Sequence, residues 1–518
     1  MIRVAVGSFE SPTLDYALIA PMLVVFGAAL VGVLVEAFVP RRVRGPVQPA
    51  LGLGALVASF AVLVWVTAPE AGATAAEATV AMDKTSVFLQ GTVLLLSFVA
   101  MLLFAERGVD PSGDAFAPSA ASIPGSEGER ELVAVGARQT EIWPLAMFSV
   151  AGMMLFPAAN DLLTMFVALE VLSLPLYLMV GLARRRRLLS QEAAIKYFLL
   201  GSFSSAFFLF GSALLFGFAG SIRLGAIHDA LGTQVGLDPL LLLGTGMVAV
   251  GLLFKVGAVP FHAWVPDVYQ GSPTAVTAFM AASTKVAAFG AILRVFYVAL
   301  GDYSWDWRPM MWVVVVLTLV VGAVLAITQT DIKRMLAYSS VAQVGFILTG
   351  VVATNQDGLS STLFYLVAYG FATIGAFAIV TLVRDAGGEA THLSKWAGLG
   401  KRSPLTAGLF ALFLLSFAGI PLTSGFIGKF AVFEAAVRGG ATPLVIVGVV
   451  TSAVAAFFYV RVIVLMFFTE PSPDGATVTV PSVFTSSAIA VAAAATVVLG
   501  VLPGPVLDLA NEAASLVR

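Results

Sequence analysis

Four lysines and one glutamate stand inside stretches that are otherwise apolar: Lys196, Lys255, Lys285, Lys429, and Glu170 in FVALEVLSLPLYLMVG. A charged side chain at the centre of a membrane helix costs about 2.5–3.5 kcal/mol on insertion scales. Five such groups, unpaired and dry, would cost on the order of 10 kcal/mol, which rivals the whole stability of a typical domain. They persist where they face a bundle interior, pair, or meet water. Lysine and glutamate are also the residue types that hand protons on, because desolvation readily lowers the proton affinity of a lysine while arginine stays charged. The chemistry open to this set is a proton relay. For Lys196 a plainer reading stands beside it: it lies four residues after Glu192 near a helix end, where an i,i+4 pair or a snorkelling side chain is common. Arg294 and Arg461, also inside apolar stretches, read as structural anchors. Glu170 has no basic residue within a helical turn, so its partner must come from another helix.

Two of the lysines stand beside helix breakers. GLLFKVGAVPFHAW puts Pro260 five residues after Lys255, and LLSFAGIPLTSGFIGKF puts Gly419, Pro421 and Gly425 shortly before Lys429. Proline removes a backbone hydrogen bond and collides with the preceding turn. Freed carbonyls at membrane depth are tolerated only where they line protein or a water-filled cavity. Paired discontinuous helices in the two halves of a chain point to an ion site in inverted-repeat transporters. One proline alone would read as a packing kink; two kinks, each beside a rare lysine, weigh against that. His262 follows the first break and titrates near neutrality when unperturbed. It reads as a gate or relay residue, with a packed, hydrogen-bonded histidine as the alternative. His228 and His392 fall in loops and are expected to be solvated.

The elements that must position these residues follow from composition. Of 518 residues 59% are hydrophobic and only 11% charged, against roughly 25% charged in soluble domains. The uncharged run Met310–Thr328 is long enough to cross about 30 Å of hydrocarbon as a helix, and such runs recur along the chain. A β-barrel would need strands alternating apolar and polar, which these are not. The expected fold is an all-α polytopic membrane protein of about fourteen transmembrane helices, broken in the seventh and twelfth. The breaks lie five spans apart, so a repeat of that unit enters the membrane in the opposite sense. The expected organisation is an N-terminal three-helix segment (1–105), a polar, mobile loop (106–140), two five-helix halves (141–302 and 303–470) and a C-terminal helix (471–518). Connections after odd-numbered spans hold sixteen Lys and Arg and the opposite side six, which predicts cytoplasmic odd connections and both termini on the outer side. The N-terminus lacks the pattern of a cleaved signal peptide, so the first helix is expected to be retained.

Several classes are disfavoured. No cysteine is present and only three histidines, which removes iron–sulfur and zinc-thiolate ligation by this chain. Net charge −2 favours no nucleic-acid partner. GFIGKF lacks the spacing and hydroxyl residue of a phosphate-binding loop, and no strands are evident. Energy for transport must come from an ion gradient or from attached subunits.

The stretch FKVGAVPFHAWVPDVYQGSPTAVTAFMAASTKVAAF, Phe254 to Phe289, resembles the hallmark segment of the antiporter-like membrane subunits of respiratory complex I. VPDVYQGSP and STK are more similar to its N-type subunits than to the L and M types. ANDLLTMFVALEVLSLPLYLMVG, EAAIKYFLLGSFSSAFFLFG, TQTDIKRMLAYSSVAQVGF and GIPLTSGFIGKF extend the likeness over nearly the whole chain. The resemblance implies two inverted five-helix bundles and proton translocation coupled at a distance to electron transfer from NADH to quinone. It further implies a Glu170 pair with Lys196 or Lys255, a central relay at Lys285, and exchange with the far side at Lys429. No cofactor is expected on this chain; NADH, FMN, iron–sulfur clusters and quinone belong to partner subunits. The expected partners are the other antiporter-like and small membrane subunits, in a bacterial-type inner (plasma) membrane. The rival readings are a subunit of a multi-subunit cation/proton antiporter or membrane-bound hydrogenase, and a scaffold whose charges only lock helices together.

Overall fold

A computed structural model describes residues 14–109, 114–119, 121–123, 125–134, 138–234, 236–471 and 474–517. Among them, twelve helices are long and apolar enough to cross a membrane, and two shorter apolar ones bring the spans to fourteen. In chain order these are Tyr16–Phe38, Arg41–Glu70, Lys84–Ala105, Ile142–Ala158, Leu162–Val180, Arg187–Ala219, Asp238–Val256, Thr274–Ala299, Gly301–Thr328, Ile332–Val352, Gln356–Leu382, Pro404–Ala418, Thr442–Phe468 and Val483–Val501. The seventh resumes after a break as Trp264–Gly271 and the twelfth as Ser424–Arg438. Asp83, Asp161, Asp331 and Asn355 start four spans by accepting a hydrogen bond from a first-turn N–H, as helix N-caps do. Five strands of two or three residues do form, all in connections. They make a hairpin of Ala73–Ala75 with Val80–Met82 and a three-stranded patch of Val383–Asp385, Gly388–Glu389 and Thr477–Val478.

Apolar faces do not distinguish core from lipid surface here; burial does. The eighth, tenth and eleventh spans are buried almost all round, while the second and thirteenth are mostly open. Lys285 therefore sits on the most enclosed helix of the bundle.

Both breaks use the same device, and it is not the prolines. The seventh span ends at Val256 because Gly257 turns left-handed at φ +81°, and the twelfth ends at Ala418 because Gly419 does the same at φ +81°. Each glycine N–H and the next residue's N–H fold back onto the last turn: Ala258 N to Leu253 O at 2.9 Å, Ile420 N to Leu415 O at 3.0 Å. This is the glycine C-cap geometry that a Cβ disfavours. Pro260 and Pro421 lie in the linking segments, where they prevent resumption rather than cause the stop. Gly425 acts differently: a Cβ there would stand 1.9 Å from the Ser416 carbonyl oxygen, so only glycine lets the two half-helices approach. Freed backbone groups find partners. Val259 N–H donates to Thr318 Oγ1 (3.0 Å), Trp264 Nε1 to Phe254 O (2.9 Å), and Gln343 Nε2 to Phe417 O (2.8 Å).

Three expectations change. The described part of 106–140 is docked, not mobile: it carries the helix Glu127–Ala134, Arg184 and Arg187 pair with Asp114 and Glu129 at 2.8 Å each, and Phe116 is buried against Phe104. Hydrogen bonds hold Glu129 below the usual carboxylate range, first from the Gly125 N–H and then from Arg187. His228 is not solvated; it is buried beside Asp302 at 3.3 Å. Lys333, assigned to a cytoplasmic connection, is buried, donating to Ser272 O at 2.8 Å with Glu389 at 3.6 Å. Loop composition did not reveal that neighbouring connections fold over these side chains.

Arg294 and Asp83 form an ion pair at 2.7 Å with both side chains buried, and Arg294 Nε also donates to Pro157 O at 2.8 Å. Removing one partner of such a pair costs about 3–5 kcal/mol, so Arg294→Met should lower the thermal midpoint of the purified protein clearly more than Arg461→Met, whose parent Arg461 is exposed. Gly425→Ala should likewise destabilise, since the added methyl has backbone in its place; equal midpoints for Gly425→Ala and the unchanged protein would refute the close-approach argument.

Candidate functional site

Lys255, Lys285 and Lys429 are all buried, at 4%, 3% and 5% exposure, and each is held by neutral groups. Lys255, in the last turn of the seventh span, donates to Ser173 Oγ on the fifth span at 2.7 Å and to Tyr197 OH on the sixth at 3.4 Å. Lys285 opens the second α-helical stretch of the eighth span, just after the π-helical turn Met280–Thr284, a local rewinding often found at functional sites. It donates to Ser340 Oγ and, at 3.1 Å, to Ser340 O on the tenth span, with the Tyr369 ring 5.6 Å away. Lys429 reaches back across the second break to Phe417 O (2.8 Å), Ala418 O (3.1 Å) and Ser452 Oγ (3.0 Å), above the Phe346 ring. Those carbonyls end a half-helix, where the peptide dipoles favour a cation. Among the described residues, no carboxylate lies within 4.0 Å of any of the three ammonium groups.

Polar groups join the second and third lysines. Ser340 bonds Lys285, its neighbour Ser339 bonds Tyr459 OH, and Gln343 Nε2 donates to Tyr459 OH (3.4 Å) and to Phe417 O, which also accepts from Lys429. Tyr365 OH donates to Gln343 Oε1 at 2.6 Å and fixes its orientation. Between Lys255 and Lys285 the connection is aromatic: Tyr197 stacks on Trp264 at 4.7 Å, Trp264 meets Tyr269 edge-on, and Tyr269 OH is 3.5 Å from Ser340 Oγ. Proton passage there requires water or side-chain rotation.

The remaining expected residues divide. Glu170 is half-buried on the fifth span, one turn from Ser173, and its Oε1 is buried with no hydrogen-bond partner. It forms a direct pair with neither Lys196 nor Lys255 in this conformation; Ser173 occupies the Lys255 ammonium instead. Lys196 turns outward, with 42% of its side chain exposed, and bonds Glu192 (2.7 Å) and Asp267 (2.8 Å). His262 lies in the first break with Nδ1 buried and unpartnered, near the Tyr338 ring. Asp267 was not singled out from sequence, yet it bridges Lys196 on the sixth span and Arg334 (2.7 Å) on the tenth. Its position inside the VPDVYQGSP stretch was the available signal. Gln343, Tyr459 and the Ser339–Ser340 pair carried none, being ordinary polar residues on an apolar helix. Among the described residues, no group of three His, Cys, Asp or Glu is placed to hold a metal ion.

The family described as NADH:quinone oxidoreductase/Mrp antiporter transmembrane segment matches residues 159–455, which contain the whole lysine line. NADH-quinone oxidoreductase subunit N of Rhodococcus opacus is 62% identical, over 98% of this chain and 97% of its own length. A chain of respiratory complex I from Thermus thermophilus superposes with TM-score 0.76 at 32% identity, covering 94% of this chain and 98% of that one. A chain of the Mrp complex from Dietzia reaches the same TM-score at 24% identity, covering 96% of each, which is a likeness of fold alone. The chain belongs to the subunit N family of NADH-quinone oxidoreductase, the antiporter-like, proton-translocating membrane subunits of bacterial complex I.

Proposed function

We propose that protons pass through this chain by way of Lys255, Lys285 and Lys429, with Glu170 as the input. The observation that carries this reading is that, among the described residues, no carboxylate lies within 4.0 Å of three buried ammonium groups that neutral hydroxyls and carbonyls nonetheless hold. An ammonium stabilised only by neutral groups is poised: moving one negative charge nearer favours keeping the proton, and moving it away favours release. Glu170 supplies such a charge, since its free Oε1 lies one turn from the Ser173 hydroxyl that holds Lys255. When a shift in an adjacent subunit turns Glu170 toward or away from Lys255, the proton held there moves through water past Tyr197 and Tyr269 to Lys285. From Lys285 it continues past the hydroxyls of Ser340, Ser339 and Tyr459 and through water to Lys429, with Gln343 orienting the Tyr459 hydroxyl and the Phe417 carbonyl. His262, in the first break, is assigned a gating role.

Residues 141–302 and 303–470 act as two half-channels under this reading, each ending a half-helix in a left-handed glycine beside its lysine. The basic residues of the odd connections face the cytoplasm and both termini the outer side; burying Lys333 removes one cation from a large excess and leaves the argument standing. The partly exposed Glu192, Lys196, Asp267 and Arg334 meet the neighbouring membrane subunits.

In proteoliposomes of the assembled complex, Lys285→Ala should slow proton transfer through this chain by ~10²–10⁴-fold, the usual worth of one positioned acid–base group. Lys285→Arg should not rescue it, because arginine keeps its proton. Pumping unchanged by Lys285→Ala in a complex that still reduces quinone would overturn the relay; loss of assembly with normal turnover in what remains would favour the scaffold reading instead. Glu170→Gln should reduce coupling while leaving the Lys255–Ser173 contact, and so the amount of assembled complex, intact.

A further inference from the structure

A cavity of about 690 Å³ opens between the second, third, eleventh and fourteenth spans, on the side of the bundle where Lys84 begins the third span. None of the relay residues lines it. Its walls are apolar, and ligand pockets of this size run from about 300 to 1,000 Å³. On the third span the lining residues are Lys84, Val87, Phe88, Gly91, Thr92 and Leu95. Their spacing is one continuous face of a helix, and from Lys84 to Leu95 it descends ~16 Å at 1.5 Å per residue. One leaflet of a bilayer with a core of about 30 Å has the same depth. Phe371 closes the cavity from the eleventh span and Val498 from the fourteenth.

The mouth of the cavity is roofed by the C-terminal helix Gly504–Ala513. Val506, Leu509 and Ala513, one face of that helix, look into the cavity. Its end is tied down: Thr85 Oγ1 donates to Ala513 O at 2.6 Å, and Val517 N–H to Asp83 Oδ2 at 2.9 Å. An amphipathic helix laid across the end of a bundle is the geometry of an interfacial element. Two charges stand at the rim, Lys84 and Glu512, both exposed. Neither has a hydrogen-bonding or ion-pairing side-chain partner among the described residues, and they do not pair with each other.

We infer that this cavity is the resident site of a single zwitterionic aminophospholipid, one of its two acyl chains along the third span, its phosphate on Lys84 and its ammonium on Glu512. The chain depth, the apolar wall and the two opposite rim charges match the three parts of that molecule. An anionic phospholipid would satisfy Lys84 and be repelled by Glu512; a hydrocarbon tail without a headgroup would use neither. The roof helix covers one end of the site with Val506, Leu509 and Ala513.

The test is to purify the whole complex in mild detergent and to quantify bound phospholipid by class, by extraction and by native mass spectrometry of the membrane part. Val498→Trp fills the cavity from an exposed position and Lys84→Glu reverses the phosphate contact; an acid in the first turn of a helix suits its dipole, so folding is spared. Val498→Trp should lose one aminophospholipid per complex. Lys84→Glu should retain it at least about five-fold less well, since loss of one lysine at a phosphate surface alone is worth that much, and Glu512→Lys should shift the retained class toward anionic lipid. Assembled complexes of both Val498→Trp and Lys84→Glu with the parent amount of every lipid class would overturn the site. So would a photo-crosslinker placed at Val498 that couples to another subunit of the complex instead of to lipid.

Discussion

Burying an ammonium group in a membrane bundle without a carboxylate is the constraint around which the rest of this chain is arranged. A buried ion pair would be the simpler solution, and it is used elsewhere in the same chain, where Arg294 meets Asp83. At Lys255, Lys285 and Lys429 the counter-charge is withheld, and stabilisation comes from several weak donors of negative potential: hydroxyl oxygens, helix-end carbonyls and aromatic faces. Each is worth far less than a carboxylate. Their sum keeps the lysine in place without fixing its proton.

The two helix breaks exist to provide part of that sum. At the second break the need is direct, because Lys429 binds two carbonyls that only an interrupted helix leaves free. At the first, the lysine belongs to the half-helix itself and lies two residues before the terminating glycine. In both cases a cation ends beside the negative end of a half-helix dipole, reached from opposite sides of the break. The symmetry is thus one of electrostatics and not of sequence order, which explains why the lysine precedes the break in one half and follows it in the other.

Much of this was legible in the sequence because membrane burial makes charge rare. In a chain with 11% charged residues, a lysine in an apolar run stands out, and fourteen spans follow from length and hydropathy. What stayed hidden depends on side chains whose type is ordinary. Gly257 looks like any membrane glycine, although its left-handed turn ends the seventh span while Pro260 only keeps the helix from resuming. Ser339, Gln343 and Tyr459 become hydrogen-bonded to one another only because the tenth and thirteenth spans meet. Lys196 is the opposite case: it has the right residue type in an apolar run, but the helical phase that turns it toward Glu192 and Asp267 is decided by which neighbours pack against the sixth span. Burial of Lys333 and His228 comes from connections folding over span ends, for which periodicity carries no signal.

Arginine and lysine are therefore not spread at random through the core. Arg294 sits where charge must never change, on a pair that ties the third and eighth spans together and, through Asp83, holds the C-terminal segment at Val517. Arginine suits that position because it cannot be neutralised in a protein. Under the proposed relay, the three lysines sit where charge must be able to change. A fourth buried lysine, Lys333, does have a carboxylate, Glu389 at 3.6 Å, and it stands outside the proposed relay; under that proposal, proton mobility is what separates Lys255, Lys285 and Lys429 from Arg294.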